Sequence, residues 1–133
     1  MRLTSKSEYT LLGLIYLARH QDEGFIKIAT VCSEYGISQK YLEQLFSALK
    51  QNRIINTKKG SNGGYALSRP ANKINIAQII RIMDGPLAPT ESVSKYFYSH
   101  TPLEKEKKIL VVLKNIRDYI SNTLEHLTLS DLI

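Results

Sequence analysis

Residues 36–67 read GISQKYLEQLFSALKQNRIINTKKGSNGGYAL, and this stretch decides the fold. Gly36 is suited to end one helix, and Ser38 is placed to cap the next helix almost at once. The apolar residues that follow recur at i, i+3, i+4 and i+7: Leu42, Leu45, Phe46 and Leu49. Such spacing marks one buried helix face. Two helices joined by so short a turn predict a helix-turn-helix.

The opposite face of the second of these helices is polar. It presents Lys40, Gln44, Ser47 and Gln51, flanked by Tyr41 and Glu43. An amide can bridge the N6 and N7 edge of adenine, a lysine can contact guanine or phosphate, and hydroxyls can bond either. The face therefore favours a recognition helix for the major groove. The alternative is an ordinary amphipathic helix with a solvated outer side.

The period changes after this helix. Ile55 and Thr57 alternate before a loop of lysines and glycines, and Tyr65 and Leu67 alternate after it, which predicts a two-stranded hairpin. A nucleotide-binding P-loop would need its lysine after the glycines and a helix behind them. The loop instead resembles a basic wing for the minor groove, although a merely solvated hairpin turn has the same composition.

The first helix of this unit and two further helices complete the predicted domain. The first helix of the chain begins at Ser5 in a Ser-x-x-Glu capping pattern and runs to about Arg19. The second carries Ile28, Val31, Cys32 and Tyr35 at helical spacing. The fourth follows Asn75 and ends at Asp84-Gly85-Pro86. The predicted class is mainly α with a small β-hairpin, with a winged helix-turn-helix domain over residues 1–86.

The positive charge is concentrated in the predicted winged domain. The formal charge of the chain is +6, and residues 1–86 hold all of it, since the remainder has equal numbers of acidic and basic residues. Seven basic residues and no acidic residue lie between Gln44 and Met83: Lys50, Arg53, Lys58, Lys59, Arg69, Lys73 and Arg81. A polyanion is the partner that this run favours, and a basic surface that serves only solubility is the alternative.

The remaining residues predict an assembly segment. Residues 87–102 contain two prolines and no periodicity, so we expect a linker. A long helix is predicted from Leu103 to His126, with a short turn after it, so that residues 103–133 form one dimerisation unit. Its apolar seam consists of Ile109, Leu113, Ile116, Ile120, Leu124 and Leu127. Twenty-four residues would span about 36 Å, more than the winged domain needs, so we expect a homodimer through this helix. The alternative is a helix that folds back over its own domain.

Other functions find little support in the sequence. The N-terminal residues do not resemble a secretory signal and no apolar run reaches about 20 residues, so a cytoplasmic protein with no membrane contact is expected. Cys32 is the only cysteine, and His20, His100 and His126 are scattered, so we expect no metal and no cofactor. No nucleophile is paired with a base, which argues against an enzyme. Cys32 lies on an apolar stripe, which favours packing over a redox role.

The chain resembles a known family of bacterial regulators at several points. The segments are MRLTSKSEYTLLGLIYLA, GISQKYLEQLFSALKQNRII, KKGSNGGYALSRP, INIAQIIRIMDGP and LTLSDL. They are similar to the winged helix-turn-helix transcription regulators typified by the iron-sulfur cluster regulator IscR and the cysteine metabolism repressor CymR. The most specific pieces are YLEQLF and the Gly-Gly-Tyr of the wing.

The resemblance implies a homodimer that binds palindromic double-stranded operator DNA and represses transcription. It places Ser38, Lys40, Tyr41 and Gln44 at the major groove or its flanking phosphates, with Glu43 tuning the accepted bases. It places Lys59 and Gly60, next to Lys58, at the minor groove. Many members have arginine at the position of Lys59, and lysine keeps the charge but loses the planar fork.

One departure from the family concerns sensing. Cluster-binding members carry three cysteines between the fourth helix and the dimerisation helix, and residues 87–102 have none. The chain therefore resembles the cluster-free branch, with an unknown small-molecule or protein effector for which Tyr96, Tyr98 and His100 are candidate contacts. A winged-helix protein interaction module with only non-specific DNA affinity is the alternative function.

Overall fold

The computed structural model describes residues 1–133. It is mainly helical with one antiparallel hairpin, as predicted. The elements are α1 (Ser5–Arg19), α2 (Ile28–Tyr35), α3 (Gln39–Gln51), β1 (Ile55–Lys58), β2 (Gly64–Leu67), α4 (Ile76–Asp84) and α5 (Lys107–Glu125). Short 3-10 turns lie between them, and the last one, Leu129–Leu132, ends the chain.

The helix-turn-helix forms as the sequence predicts. Gly36 adopts the left-handed conformation at φ 66° and ends α2, a conformation that glycine adopts without steric cost. Ser38 caps α3, because its hydroxyl accepts a hydrogen bond from the Tyr41 backbone N–H at 3.4 Å. Phe46 from the buried face of α3 is fully buried. A Cβ atom at Gly13 would lie 2.7 Å from the Phe46 ring, so glycine lets α1 approach α3 closely.

The start of α1 differs from the prediction. Thr4, not Ser5, is the N-cap, and its Oγ1 atom accepts a hydrogen bond from the Lys6 backbone N–H. Thr4 and Ser7 also donate to the carboxylate of Asp84 at the end of α4. The N-cap is one residue earlier than predicted because the Thr4 hydroxyl bonds both the first turn of α1 and Asp84 of α4.

The hairpin has the predicted strands and a third neighbour. Ile55 pairs with Leu67 and Thr57 with Tyr65. Ile26, in the segment before α2, forms an isolated antiparallel bridge with Tyr65. The wing is therefore attached along one edge to the body of the domain.

The C-terminal segment returns to the winged domain. The helix predicted from Leu103 to His126 is shorter than expected, because Pro102–Lys105 forms a separate 3-10 turn and α5 begins at Lys107. Its 19 residues span about 28 Å. Leu129, beyond α5, is fully buried in the same hydrophobic core as Leu14 of α1, and Leu87 of the linker joins them. The predicted boundary near residue 86 separates two segments of the sequence, but residues from both segments share one hydrophobic core.

Candidate nucleic-acid interface

A groove of about 400 Å³ lies between α3 and the wing. Its polar and charged lining residues are Glu43, Ser47, Lys50, Thr57, Lys58 and Lys59. Glu43 and Ser47 come from the predicted recognition helix, and Lys58 and Lys59 come from the predicted wing. The fold thus brings two separately predicted sets of residues onto one concave surface, which Tyr65 also lines.

The face of α3 that the sequence predicts for recognition is exposed, and side-chain contacts hold residues on either side of it. Lys40, Gln44 and Ser47 are exposed. Glu43 accepts a hydrogen bond from Gln39 at 3.1 Å, which orients its carboxylate on the helix surface. Tyr41 is half-buried: its ring packs edge-on against Tyr9 with centroids 5.7 Å apart, and its hydroxyl lies 3.1 Å from the Ser5 hydroxyl.

Three glycines shape the wing. Gly60 at the tip has φ 99°, a conformation in which a side chain would be strained. A Cβ atom at Gly63 would lie 2.0 Å from the Lys58 carbonyl oxygen, and one at Gly64 would lie 2.3 Å from the Ile26 carbonyl oxygen. The Gly-Gly-Tyr motif therefore allows three backbone segments to meet under an exposed tip that carries Lys59.

Burial and charge affect the pKa values of two groups, Tyr65 in the groove lining and Cys32 in the core. Burial, and secondly the Glu43 carboxylate, raises the pKa of the Tyr65 phenol. The same two causes, in the same order, raise the pKa of the Cys32 thiol. Cys32 is buried in the core, where it packs as a small apolar residue.

Two members of the basic run bind within the protein. The Arg69 guanidinium donates to the backbone carbonyls of Arg53 and Lys73 and to the Gln78 amide oxygen. Arg81 pairs with Glu125 at the end of α5. The basic run therefore contains residues of two kinds. Arg69 and Arg81 contact other parts of the protein, whereas Lys50, Lys58 and Lys59 line the groove. The sequence prediction omitted Lys50 from the site, although it lies three residues after Ser47 on the same helix face.

The predicted dimerisation seam is also divided. Ile120 and Leu124 pack against the core of their own domain, and Leu113 is half-buried. Ile109 and Ile116 are 40% and 44% exposed. Together with two further exposed residues at helical spacing they form the α5 stripe, which consists of Ile109, Val112, Ile116 and Tyr119.

Neither a metal centre nor a membrane-spanning helix is found in the structure. No group of three or more His, Cys, Asp or Glu side chains is placed to hold a metal ion. None of the helices combines the length and the apolar character that crossing a membrane requires.

A capped helix-turn-helix, a glycine-shaped hairpin beside it and a groove with lysines from both define a winged helix-turn-helix protein. The family model described as "Rrf2: Iron-dependent Transcriptional regulator" matches residues 3–133. The chain therefore belongs to the Rrf2 family of transcription regulators.

Individual relatives agree with this assignment. The HTH-type transcriptional regulator IscR of Xenorhabdus nematophila is 39% identical over 71% of this chain and 58% of its own length. IscR of Pectobacterium carotovorum is 31% identical over 100% of this chain and 79% of its own length. The solved structure of CymR (YrzC), the global cysteine regulator of B. subtilis, has a TM-score of 0.80 and 29% identity, covering 99% of this chain and 95% of its own.

Proposed function

We propose that the protein is a dimeric, sequence-specific DNA-binding repressor that works without an iron-sulfur cluster. The observation that carries this proposal is the groove between α3 and the wing. Its lysines come from two elements that a duplex contacts in adjacent grooves, and the α3 face beside it carries Gln44 and Ser47, which can bond base edges.

Dimerisation is supported by the α5 stripe. Four large apolar or aromatic side chains lie along one helix face and are exposed to water, which is unfavourable. Burying them against a second copy of the chain would be favourable. Met1 and Leu3 extend this surface, because they line an apolar depression of about 370 Å³ with Tyr119 and Ile120. A second copy that presents the same stripe would form a two-fold interface and match a palindromic operator.

Cluster-free operation is supported by the linker. Residues 87–102 contain no cysteine, and the single thiol, that of Cys32, lies in the core of the winged domain. A cluster held by cysteine thiolates needs several of them at one place. Tyr96, Tyr98 and His100 are exposed in the linker and stay candidates for effector contact.

The first experiment is selection of bound duplexes from a random DNA pool by the purified protein, with light scattering on the same sample. An enriched palindrome and a mass twice that of the 15.1 kDa chain are expected. Affinity for the selected duplex should fall steeply as salt concentration rises, because lysines that neutralise phosphates displace counterions from the DNA. A monomeric mass, or a pool without enrichment, would contradict the proposal and favour a protein interaction module with non-specific DNA affinity.

A further inference from the structure

The wing tip is held from beneath by the segment Phe25–Lys27, here called the brace. Ile26 and Tyr65 exchange two backbone hydrogen bonds of 2.8 Å each. The Lys58 ammonium lies 5.8 Å from the centroid of the Phe25 ring, within reach of a cation–π attraction. The brace thus contacts both strands of the wing.

Lys27 connects the brace to the tip itself. Its ammonium donates a hydrogen bond of 3.0 Å to the Gly60 carbonyl oxygen. The backbone N–H of Gly63 donates to the same oxygen at 3.0 Å. The carbonyl group next to Lys59 is therefore fixed by one bond within the turn and one bond from outside it.

This arrangement matters because the tip is intrinsically loose. Gly60 and Gly63 have more accessible conformations than any other residue type, and ordering them on binding costs free energy. A contact that orders the tip beforehand lowers that cost. A fixed tip also discriminates better between a narrow and a wide minor groove, because groove width is read through the position of an inserted cation.

We propose that Lys27 is a positioning residue for the wing: it holds the tip so that Lys59 meets the minor groove in a defined place, and it sharpens the preference for narrow, A·T-rich flanks. The inference rests on the proposed DNA-binding function and names a residue outside the predicted recognition helix and wing.

The first arm of the test uses the free protein. In Lys27→Met the Gly63 amide should exchange hydrogen about fivefold faster than in the parent, as expected for the loss of one exposed hydrogen bond. Lys27→Arg, which keeps a charged donor, should restore protection. Lys105→Met removes an equal charge at an exposed position of the Pro102–Lys105 turn and should leave Gly63 unchanged. Equal exchange in the parent and Lys27→Met would overturn the proposal.

The second arm uses the selected operator with A·T-rich or G·C-rich flanks. Lys27→Met should weaken binding to the A·T-rich form about fivefold and reduce the preference between the two forms, whereas in a Lys59→Ala background it should change little. Additive losses would identify Lys27 as an independent phosphate contact and overturn the positioning role. If the parent protein bound the operator no more tightly than random duplex, the proposed function would be refuted. The proposed role of Lys27 in DNA binding would then be refuted as well.

Discussion

The groove and the α5 stripe are both exposed, yet they expose opposite kinds of chemistry. The groove presents Lys50, Lys58 and Lys59 beside the aromatic rings of Phe46 and Tyr65. The α5 stripe presents side chains such as Tyr119, which is 77% exposed. The two surfaces therefore favour different binding partners. Clustered cations favour a polyanion, and an apolar helix face favours another protein surface.

The largest effect is expected from a charge in the α5 stripe. Ile116→Glu should weaken the dimer at least about 100-fold, because a carboxylate would be buried without a partner. Operator affinity should fall with it, since each half-site would be bound separately. Analytical ultracentrifugation and binding titrations measure both quantities.

Val111→Glu is the matched control for this change. Val111 is 58% exposed on the same helix but lies outside the α5 stripe. It should leave the dimer intact. Equal dissociation of the two variants would show that the stripe is not the interface, and the comparison between the two surfaces would then fail.

The second effect concerns the frame of the groove. Gly64→Ala should reduce the free energy of unfolding by about 2 kcal/mol, because the new methyl group collides with the Ile26 carbonyl. The backbone there also has φ 146°. Chemical denaturation measures the loss.

Gly36→Ala separates the collision from the backbone strain. Gly36 also has positive φ, at 66°, but has open space around it. It should cost only about 1 kcal/mol. A loss for Gly64→Ala no larger than this would contradict a close approach of wing and brace.

A third, smaller effect distinguishes the role of Lys59 in the groove from that of Gln44 on the α3 face beside it. Lys59→Ala should weaken binding to most duplexes about five- to tenfold and reduce the salt slope by about one, as expected for a phosphate or minor-groove cation. Gln44→Ala should mainly relax the base preference at one operator position. Competition titrations against operators with single substitutions measure both. Operator binding unchanged in both variants would refute the assignment of these residues to the interface.

The smallest effect is expected at the contact between α4 and α1, where Asp84 accepts hydrogen bonds from Thr4 and Ser7. Burial alone would raise the pKa of this carboxyl group, but the bonds from Ser7 and Thr4 outweigh it and the pKa is lowered. A lowered pKa stabilises the fold at pH above about 4, the value in unfolded chains, and this contribution is lost as pH falls through the folded-state value.

Asp84→Asn should therefore lower stability by about 1 kcal/mol at pH 7, with the difference from the parent shrinking in acid. Urea unfolding between pH 7 and pH 2 measures this difference. Asp22→Asn removes an equal charge at an exposed position of the turn after α1; it is the control and should leave stability at pH 7 unchanged. A constant deficit for Asp84→Asn at all pH values would mean that the carboxylate charge does not contribute.

Much of the fold could be predicted because its signals are local. Gly36, Ser38 and the spacing from Leu42 to Leu49 act within a few residues of one another, and the structure confirms each. The hairpin was predicted for the same reason. The cap of α1 was wrong by one residue because a hydroxyl at either Thr4 or Ser5 satisfies the local pattern, and only the contact with Asp84 selects Thr4.

The candidate site was less predictable, because charge in a sequence does not reveal its partners. Arg69 and Arg81 count equally with Lys58 in the basic run, yet both are bound within the protein. No sequence pattern indicated a role for Lys27, because its hydrogen bond to Gly60 joins residues 33 positions apart.

By itself, the sequence determined the class of fold, the turn positions, the basic character of the winged half and the absence of cysteine from the linker. These follow from residue types and short spacings. Only the tertiary structure decided that α5 uses Ile120 and Leu124 for its own core and leaves Ile109 and Ile116 exposed. A helical pattern fixes which residues share a face, but what covers that face depends on elements distant in sequence.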